Sequence, residues 1–262
     1  MIIKKLNTLK RILKNYPGAV VAFSGGIDST FLLRVAREVL GKRVIAATIV
    51  SPLQSSSETA EARRTARSLG VKHVVFAVNV LHRPAIRENP RNRCYHCKRI
   101  MLKKIKTLAE KKGYAAIEAS NRSDQRYFRP GLDAVKELGM GSPLIAAGFE
   151  KTDIRNAARR LGLANWNKPS TACLASRIPY GVKIDHKTLR RIEKAEACLM
   201  QHGFSQVRVR DHFPVARIEI AETEFKKMIR ERRKIASELR KLHYDHVTLD
   251  LDGYSTGSFD RR

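Results

Sequence analysis

The sequence contains no apolar run approaching the ~20 residues that a membrane-spanning helix needs. The opening Met1-Ile2-Ile3-Lys4-Lys5 has neither the apolar core nor the small-residue cleavage site of a secretory leader. A soluble, cytoplasmic protein with no membrane partner is the expectation. No short-period repeat or low-complexity tract interrupts the chain. Cysteine is scarce, with four in 262 residues, while hydrophobic residues make up 43%, enough to bury a sizeable core. Disordered and disulfide-stapled classes are thereby excluded, and cysteines in a cytosolic chain point to metal or redox chemistry before disulfides. Acidic residues are few: 25 Asp and Glu stand against 52 Lys and Arg, a net charge of +27. Residues 1–180 hold 34 basic and 12 acidic side chains, and 181–262 hold 18 and 13. A field of this sign attracts nucleotides, phosphorylated substrates or RNA, although a solvated basic face accounts for it equally well.

What is present is an alternation. Ala19–Phe23 is a short apolar run of strand type, followed by Ser24-Gly-Gly-Ile-Asp-Ser-Thr30. Phe31, Leu32, Val35, Ala36, Val39 and Leu40 then recur at helical spacing up to Gly41. Val44–Val50 predicts a second strand, and Ser57 is a candidate cap for a helix ending near Leu69. Val71–Val78 predicts a third strand, Cys97–Lys112 a basic helix, and Ala115–Ala119 a fourth strand. Strands alternating with helices predict an α/β fold with a parallel sheet covered on both faces. Ligands of such sheets sit beyond the carboxyl ends of the strands, where Gly25-Gly26 lies. A helix over Lys151–Leu161, with Thr152 as candidate cap, precedes a loop-like stretch, Lys168–Gly181. Beyond it, helices at about 186–202 and 222–241 and strands at 205–210, 215–220 and 246–251 predict a small α+β unit. The expected domains are therefore 1–181 and 182–262.

A Gly-Gly pair at a strand-to-helix turn lets backbone N–H groups approach an anion at the positive end of a helix dipole. Ser24, Ser29 and Thr30 add hydroxyl donors. The Walker lysine and the G-x-G-x-x-G fingerprint are both missing. Asp28 is out of place beside phosphate unless it faces Mg²⁺ or a backbone donor. The six residues Ser24–Ser29 resemble the S-G-G-x-D-S loop of the PP-loop ATP pyrophosphatase superfamily. That resemblance implies ATP held for attack at its α-phosphate, with pyrophosphate leaving. It also implies that the strand end at Ser51 approaches the adenine and that Asn121 and Asp124 lie near the phosphates or Mg²⁺.

Cys94 and Cys97 form a C-x-x-C pair, Cys173 follows 76 residues later, and Cys198 falls in a predicted helix. Structural zinc lacks an evident fourth ligand, and a redox pair lacks the usual flanks. Three cysteines on a [4Fe–4S] cluster leave one iron without a protein ligand. Cys198 reads as a buried helical residue. The segments Asn89–Lys98, Phe128–Gly131, Lys168–Gly181, Arg208–Arg210 and Leu249–Ser258 together resemble the LarE family of ATP-dependent sulfur transferases, over nearly the whole chain.

The resemblance implies adenylation of a carboxylate on a pyridinium dicarboxylate mononucleotide and displacement of AMP by sulfur, as in nickel-pincer nucleotide synthesis. One branch sacrifices a cysteine at the position of Cys173, whereas another binds [4Fe–4S] on three. Cys94, Cys97 and Cys173 match the second. Arg177 is then placed to stabilise charge developing on phosphate. Arg208 and Arg210, on one face of a strand, would hold the substrate phosphate, and Glu196 and Glu219 match acid/base or metal positions. Glu118–Asn121 departs from the Asp-Gly-containing segment of relatives. A homo-oligomer is expected, and the sulfide source is open. A tRNA thiouridine synthase with the same adenylation chemistry is the competing expectation, favoured by the charge. A basic zinc-binding module without activity is a third.

Overall fold

The structure is a computed structural model and describes residues 2–126, 129–168 and 172–255. In chain order the elements are α1 (Ile2–Lys14), β1 (Ala19–Ala22), α2 (Ile27–Leu40), β2 (Val44–Val50), α3 (Ser56–Ser68), β3 (Lys72–Ala77), α4 (Pro84–Arg87), α5 (Arg93–Lys112), β4 (Ala115–Ile117), α6 (Gly131–Glu137), α7 (Pro143–Ala146), α8 (Lys151–Arg160), α9 (His186–Gln201), β5 (Val207–His212), β6 (Val215–Ile220), α10 (Phe225–Arg240) and β7 (His246–Leu249). None of the described helices is long and apolar enough to cross a membrane.

The chain divides into two compact units, Met1–Val80 with Asn92–Thr171 and Leu81–Arg91 with Ala172–Arg262. The first is built on a parallel sheet in the order β3-β2-β1-β4. The central strands β1 and β2 are almost uniformly apolar because both of their faces are covered, whereas the edge strand β3 opens on Lys72 and His73 and has no fully buried residue. Alternation assigns the faces: Ala19, Val21, Val44 and Ala46 pack with Phe31, Leu32 and Val35 of α2, whereas Val20, Ile45, Ala47 and Ile49 pack with Leu102, Ile105 and Ala109 of α5. From β1 the chain builds β2 and β3 to one side, then returns to place β4 on the other. The strand order therefore reverses between β1 and β4, and the loops after these two strands flank the crevice where open α/β sheets bind ligands.

Two caps differ from expectation. α3 is capped by Ser55, not Ser57, because Ser55 and Glu58 stand at capping-box spacing and exchange both hydrogen bonds. α8 is capped by Glu150, not Thr152, in a reciprocal pair with Asp153. Helix α1, which brings Leu9 and Leu13 onto α2, is additional to the expected elements.

The second unit carries a three-stranded sheet, β5-β6-β7, antiparallel between β5 and β6 and parallel between β6 and β7. Leu199 of α9 and Met228, Ile235 and Leu239 of α10 share its core with Val207, Val209 and Ile218. Residues 172–181, expected with the first domain, group here together with 81–91. Hydrogen bonds explain the grouping. The Asn89 side-chain amide donates to the carbonyls of Ile178 and Pro179 (3.3 and 2.8 Å), and Gly181 N–H donates to Asn89 O (3.0 Å).

Phe31 is fully buried against Phe149, with ring centroids 5.3 Å apart. Phe31→Ala should therefore cost about 3–5 kcal/mol in urea denaturation, whereas Ile3→Ala, at a side chain 66% exposed, should change stability by no more than about 0.5 kcal/mol.

Candidate functional site

The turn after β1 is shaped by backbone constraints. Gly25 has φ of 79°, and a Cβ there would lie 3.1 Å from Ala62 of α3, so only glycine fits between the turn and that helix. Gly26 is the N-cap of α2 and supplies no side chain, which leaves the first-turn N–H groups of a 14-residue helix uncapped by any side chain, a site suited to an anion. Ser24 Oγ accepts from Gly26 N–H at 3.3 Å. Ser29 and Thr30, expected as phosphate donors, brace the loop in this structure: Ser29 Oγ donates to Gly26 O (3.0 Å) and Thr30 Oγ1 to Gly25 O (3.4 Å). Asn165 completes the brace, its amide donating to Gly25 O at 3.0 Å and to Thr30 Oγ1 at 3.1 Å.

Asp28 points one oxygen at Lys151 Nζ, 2.5 Å away. The other, Oδ1, is buried with no partner among the described residues. Burial raises the Asp28 pKa, and Lys151 opposes the rise without overcoming it. Across the crevice, after β4, Asn121 is fully buried and neither atom of its side-chain amide has a partner among the described residues. Asn121 N–H donates to Asp124 Oδ2 (3.1 Å), and Asp124 Oδ1 pairs with Arg129 (2.9 Å). Asn165 Oδ1 is also without a partner among the described residues. Unsatisfied buried groups each cost about 1–3 kcal/mol, so their concentration at one crevice marks a place where a polar ligand supplies the missing bonds. Oxygen donors such as Asp28 Oδ1 fit Mg²⁺, and the uncapped helix end fits a phosphate chain.

Ser51 is buried at the end of β2, its N–H donating to Gln54 Oε1 (3.1 Å). Glu118 accepts from Ser120 N–H, Ser120 Oγ, Ser142 Oγ and Lys98. Lys151 and Asn165 went unrecognised in the sequence. They lie more than 120 residues from the loop they touch, and no spacing pattern announces them.

Cys94 and Cys97 lie three residues apart in the first turns of α5, which puts both thiols on one helix face. Cys94 is exposed and Cys97 half-buried, and neither is in a disulfide. Cys173 belongs to the second unit, as the N-cap of a 3₁₀ turn over Leu174–Arg177.

In that unit Arg177 is 1% exposed and its donors are engaged internally. Nε and Nη2 form a fork with Glu196 (2.8 and 2.9 Å), and Nη1 donates to the carbonyls of Ala172 (2.6 Å) and Cys173 (3.0 Å). Glu196 also accepts from Val209 N–H at 3.0 Å. Arg177 thus holds the backbone at Cys173, where the expectation was a phosphate donor. Arg210 forms a second fork with Glu219 (2.8 and 2.7 Å) and donates to Ser176 O (2.7 Å). Glu219 is fully buried and also meets Arg217 at 3.3 Å. Arg208 shares the β5 face with Arg210 and lies over the Tyr254 ring, 5.2 Å from its centroid. Burial, then the neighbouring Arg177 charge, lowers the Arg208 pKa, so an anion at this face would relieve an electropositive site.

A doubly covered parallel sheet with an S-G-G-x-D-S turn at its reversal point defines a PP-loop nucleotide enzyme, and residues 10–90 match the asparagine synthase family. The chain is 36% identical over 255 residues to the pyridinium-3,5-bisthiocarboxylic acid mononucleotide synthase of Lactiplantibacillus plantarum, across 97% of this chain and 92% of that one. It is equally identical over 264 residues to an uncharacterized protein of Synechocystis, across 100% and 98%. Likeness to an NH(3)-dependent NAD(+) synthetase of Finegoldia magna is 27% over 157 residues, 57% of this chain and 62% of that one. The chain belongs to the LarE family.

Asp28→Asn removes a charge that burial disfavours. It should raise the melting temperature of the ligand-free protein at neutral pH while abolishing AMP formation; a lowered melting temperature would mean that the Lys151 pair outweighs burial. Arg177→Met leaves Glu196 buried and unpaired and should destabilise the protein by about 3–5 kcal/mol in urea titration.

Proposed function

We propose that this chain is an ATP-dependent sulfurtransferase that adenylates a carboxylate of a pyridinium-3,5-dicarboxylate mononucleotide and replaces the activated oxygen with sulfur. The observation that carries this reading is the full-length likeness to the synthase coinciding with a crevice of unpartnered polar atoms beside an S-G-G-x-D-S turn. A substrate carboxylate oxygen attacks the α-phosphorus of ATP, the bond to pyrophosphate breaks, and an acyl adenylate forms. A sulfur nucleophile then attacks the acyl carbon, and the carbon–oxygen bond breaks with both electrons leaving on AMP. Adenylation is required because an unactivated carboxylate oxygen is a poor leaving group.

The N–H groups opening α2, with Gly25 and Gly26, cradle the phosphates, and Ser24 orients that turn. Ser29 and Thr30 keep it rigid. Asp28 would hold Mg²⁺, with Asp124 nearby, and the bound ion would neutralise charge on the phosphates. Asn121 takes up its missing hydrogen bonds from the nucleotide, and Ser51 borders the adenine. In the second unit Arg208 receives the mononucleotide phosphate, while Arg210 and Glu219 hold the sheet face on which it stands. Arg177 and Glu196 fix the turn carrying Cys173.

Cys94, Cys97 and Cys173 are the thiols that would hold a [4Fe–4S] cluster. The pairing of Cys94 and Cys97 on one accessible helix face suits a soft metal centre. Bound to three thiolates, such a cluster supplies an iron free to carry sulfide. The test is anaerobic purification with iron analysis and turnover. The protein should be brown with about four iron atoms per chain. Alanine at position 94, 97 or 173 should remove the iron, and Cys198→Ala should not. ATP should yield AMP and pyrophosphate only with the mononucleotide, whose product gains the mass of a sulfur-for-oxygen exchange. Iron-free protein with dehydroalanine at position 173 would refute the cluster. The basic face of α5 favours tRNA as the alternative acceptor, and AMP formation that requires tRNA would establish it.

A further inference from the structure

Outside the sulfur-transfer machinery, the second unit gathers a separate set of metal-type donors. Cys198, in the last turn of α9, and His202, the C-cap of that helix, stand four residues apart, and Glu231 and Glu238 stand seven apart on α10. Cys198 Sγ, a His202 ring nitrogen and a Glu238 carboxylate oxygen all lie within 4.8 Å of one another. Individual distances are 2.7 Å from Cys198 Sγ to Glu238 Oε2 and 3.4 Å from His202 Nε2 to Glu238 Oε1. Glu231 Oε2 lies 3.0 Å from the other ring nitrogen, Nδ1.

We propose that Cys198, His202 and Glu238 form a binding site for a zinc-type divalent transition ion that clips α9 to α10, with Glu231 orienting the histidine. The donor chemistry selects the ion. One thiolate, one imidazole and one carboxylate suit Zn²⁺ or Co²⁺ and do not suit Mg²⁺ or Ca²⁺, which demand oxygen. Two of the ligands are anionic when bound, so a divalent ion gives a neutral complex. Glu231 supplies the arrangement typical of metal-bound histidine: a carboxylate accepting from Nδ1–H fixes the tautomer and leaves the Nε2 lone pair facing Cys198 and Glu238. All four side chains are partly accessible, which gives the ion an entry path and leaves room for water as a fourth ligand.

The metal-free site has its own stable state. Burial, then the Glu238 carboxylate, pushes the Cys198 thiol up to about 12, so the thiol keeps its proton and donates it to Glu238. An entering ion displaces that proton as it takes the thiolate. The exposed cations beside the cluster are Arg230, 4.0 Å from Glu231, and Lys241, next to Glu238. Glu196, two residues before Cys198, faces Arg177 and Val209 on another side of α9. An ion at Cys198 therefore steadies the helix that carries the Glu196 fork.

The experiment uses the full-length chain with Cys94, Cys97 and Cys173 changed to Ala, so that no thiol but Cys198 remains, and Co²⁺ as the probe. One equivalent of Co²⁺ should produce a thiolate-to-cobalt charge-transfer band and the visible bands of tetrahedral cobalt, and Zn²⁺ should displace it. Adding Cys198→Ser should abolish the charge-transfer band. Adding His202→Gln or Glu231→Gln should weaken binding by about ten-fold or more. Zn²⁺ should raise the melting temperature of the three-cysteine variant and leave that of the Cys198→Ser form unchanged. Circular dichroism checks that each variant is folded. Should Cys198→Ser fail to fold, the His202→Gln and Glu231→Gln titrations decide. Absence of a charge-transfer band in the three-cysteine variant, or affinity unchanged by the His202 and Glu231 substitutions, would overturn the proposal. Iron content of the wild-type protein is read separately, so failure here does not bear on the sulfur-transfer cluster.

Discussion

The fully buried amide of Asn121, without a partner among the described residues, is the constraint on which the nucleotide end of the molecule depends. A side chain in that position lowers stability until something occupies the crevice. The same holds for Asp28 Oδ1 and Asn165 Oδ1. These groups come from three separate segments, and the fold brings them together because the sheet reverses its order between β1 and β4. A parallel sheet satisfies its own backbone and leaves its C-terminal edge as a place where polar groups gather to meet a ligand. The glycine turn is part of the same geometry: it presses against α3 so closely that a side chain at Gly25 is excluded, and the N–H groups opening α2 stay available.

The second unit follows a different rule. Four of its buried charges are matched in forks, Arg177 with Glu196 and Arg210 with Glu219. Buried pairs of this kind contribute little net stability but are costly to break. Their geometric consequence is to hold the backbone just before and within the 3₁₀ turn: Arg177 accounts for the carbonyls of residues 172 and 173, and Arg210 for that of Ser176. Cys173 therefore sits on a backbone tied down by two guanidinium groups.

Much of this was legible in the sequence, for a local reason. Strands β1 to β4 are short apolar runs bounded by glycine, and the S-G-G-x-D-S turn is contiguous, so both are visible without tertiary information. Cap positions shifted by two residues because Ser55 and Ser57, or Glu150 and Thr152, compete for the same role, and only the partner three residues on decides between them. Arg177, Ser29 and Thr30 stood out in the sequence as polar residues of the motifs, but the partners that engage their hydrogen bonds did not. Lys151 and Asn165 were hidden by distance along the chain. Cys198 looked like an ordinary core residue because its companions, Glu231 and Glu238, lie on another helix.

The central claim is that the carboxylate is activated through its own oxygen. The most direct measurement follows a heavy-oxygen label placed in the carboxylates of the mononucleotide during a single turnover with ATP. Adenylation followed by displacement requires one labelled oxygen to appear in the phosphate of AMP, with none in pyrophosphate. Label found in pyrophosphate, or AMP formed wholly without label while sulfur is incorporated, would contradict the account.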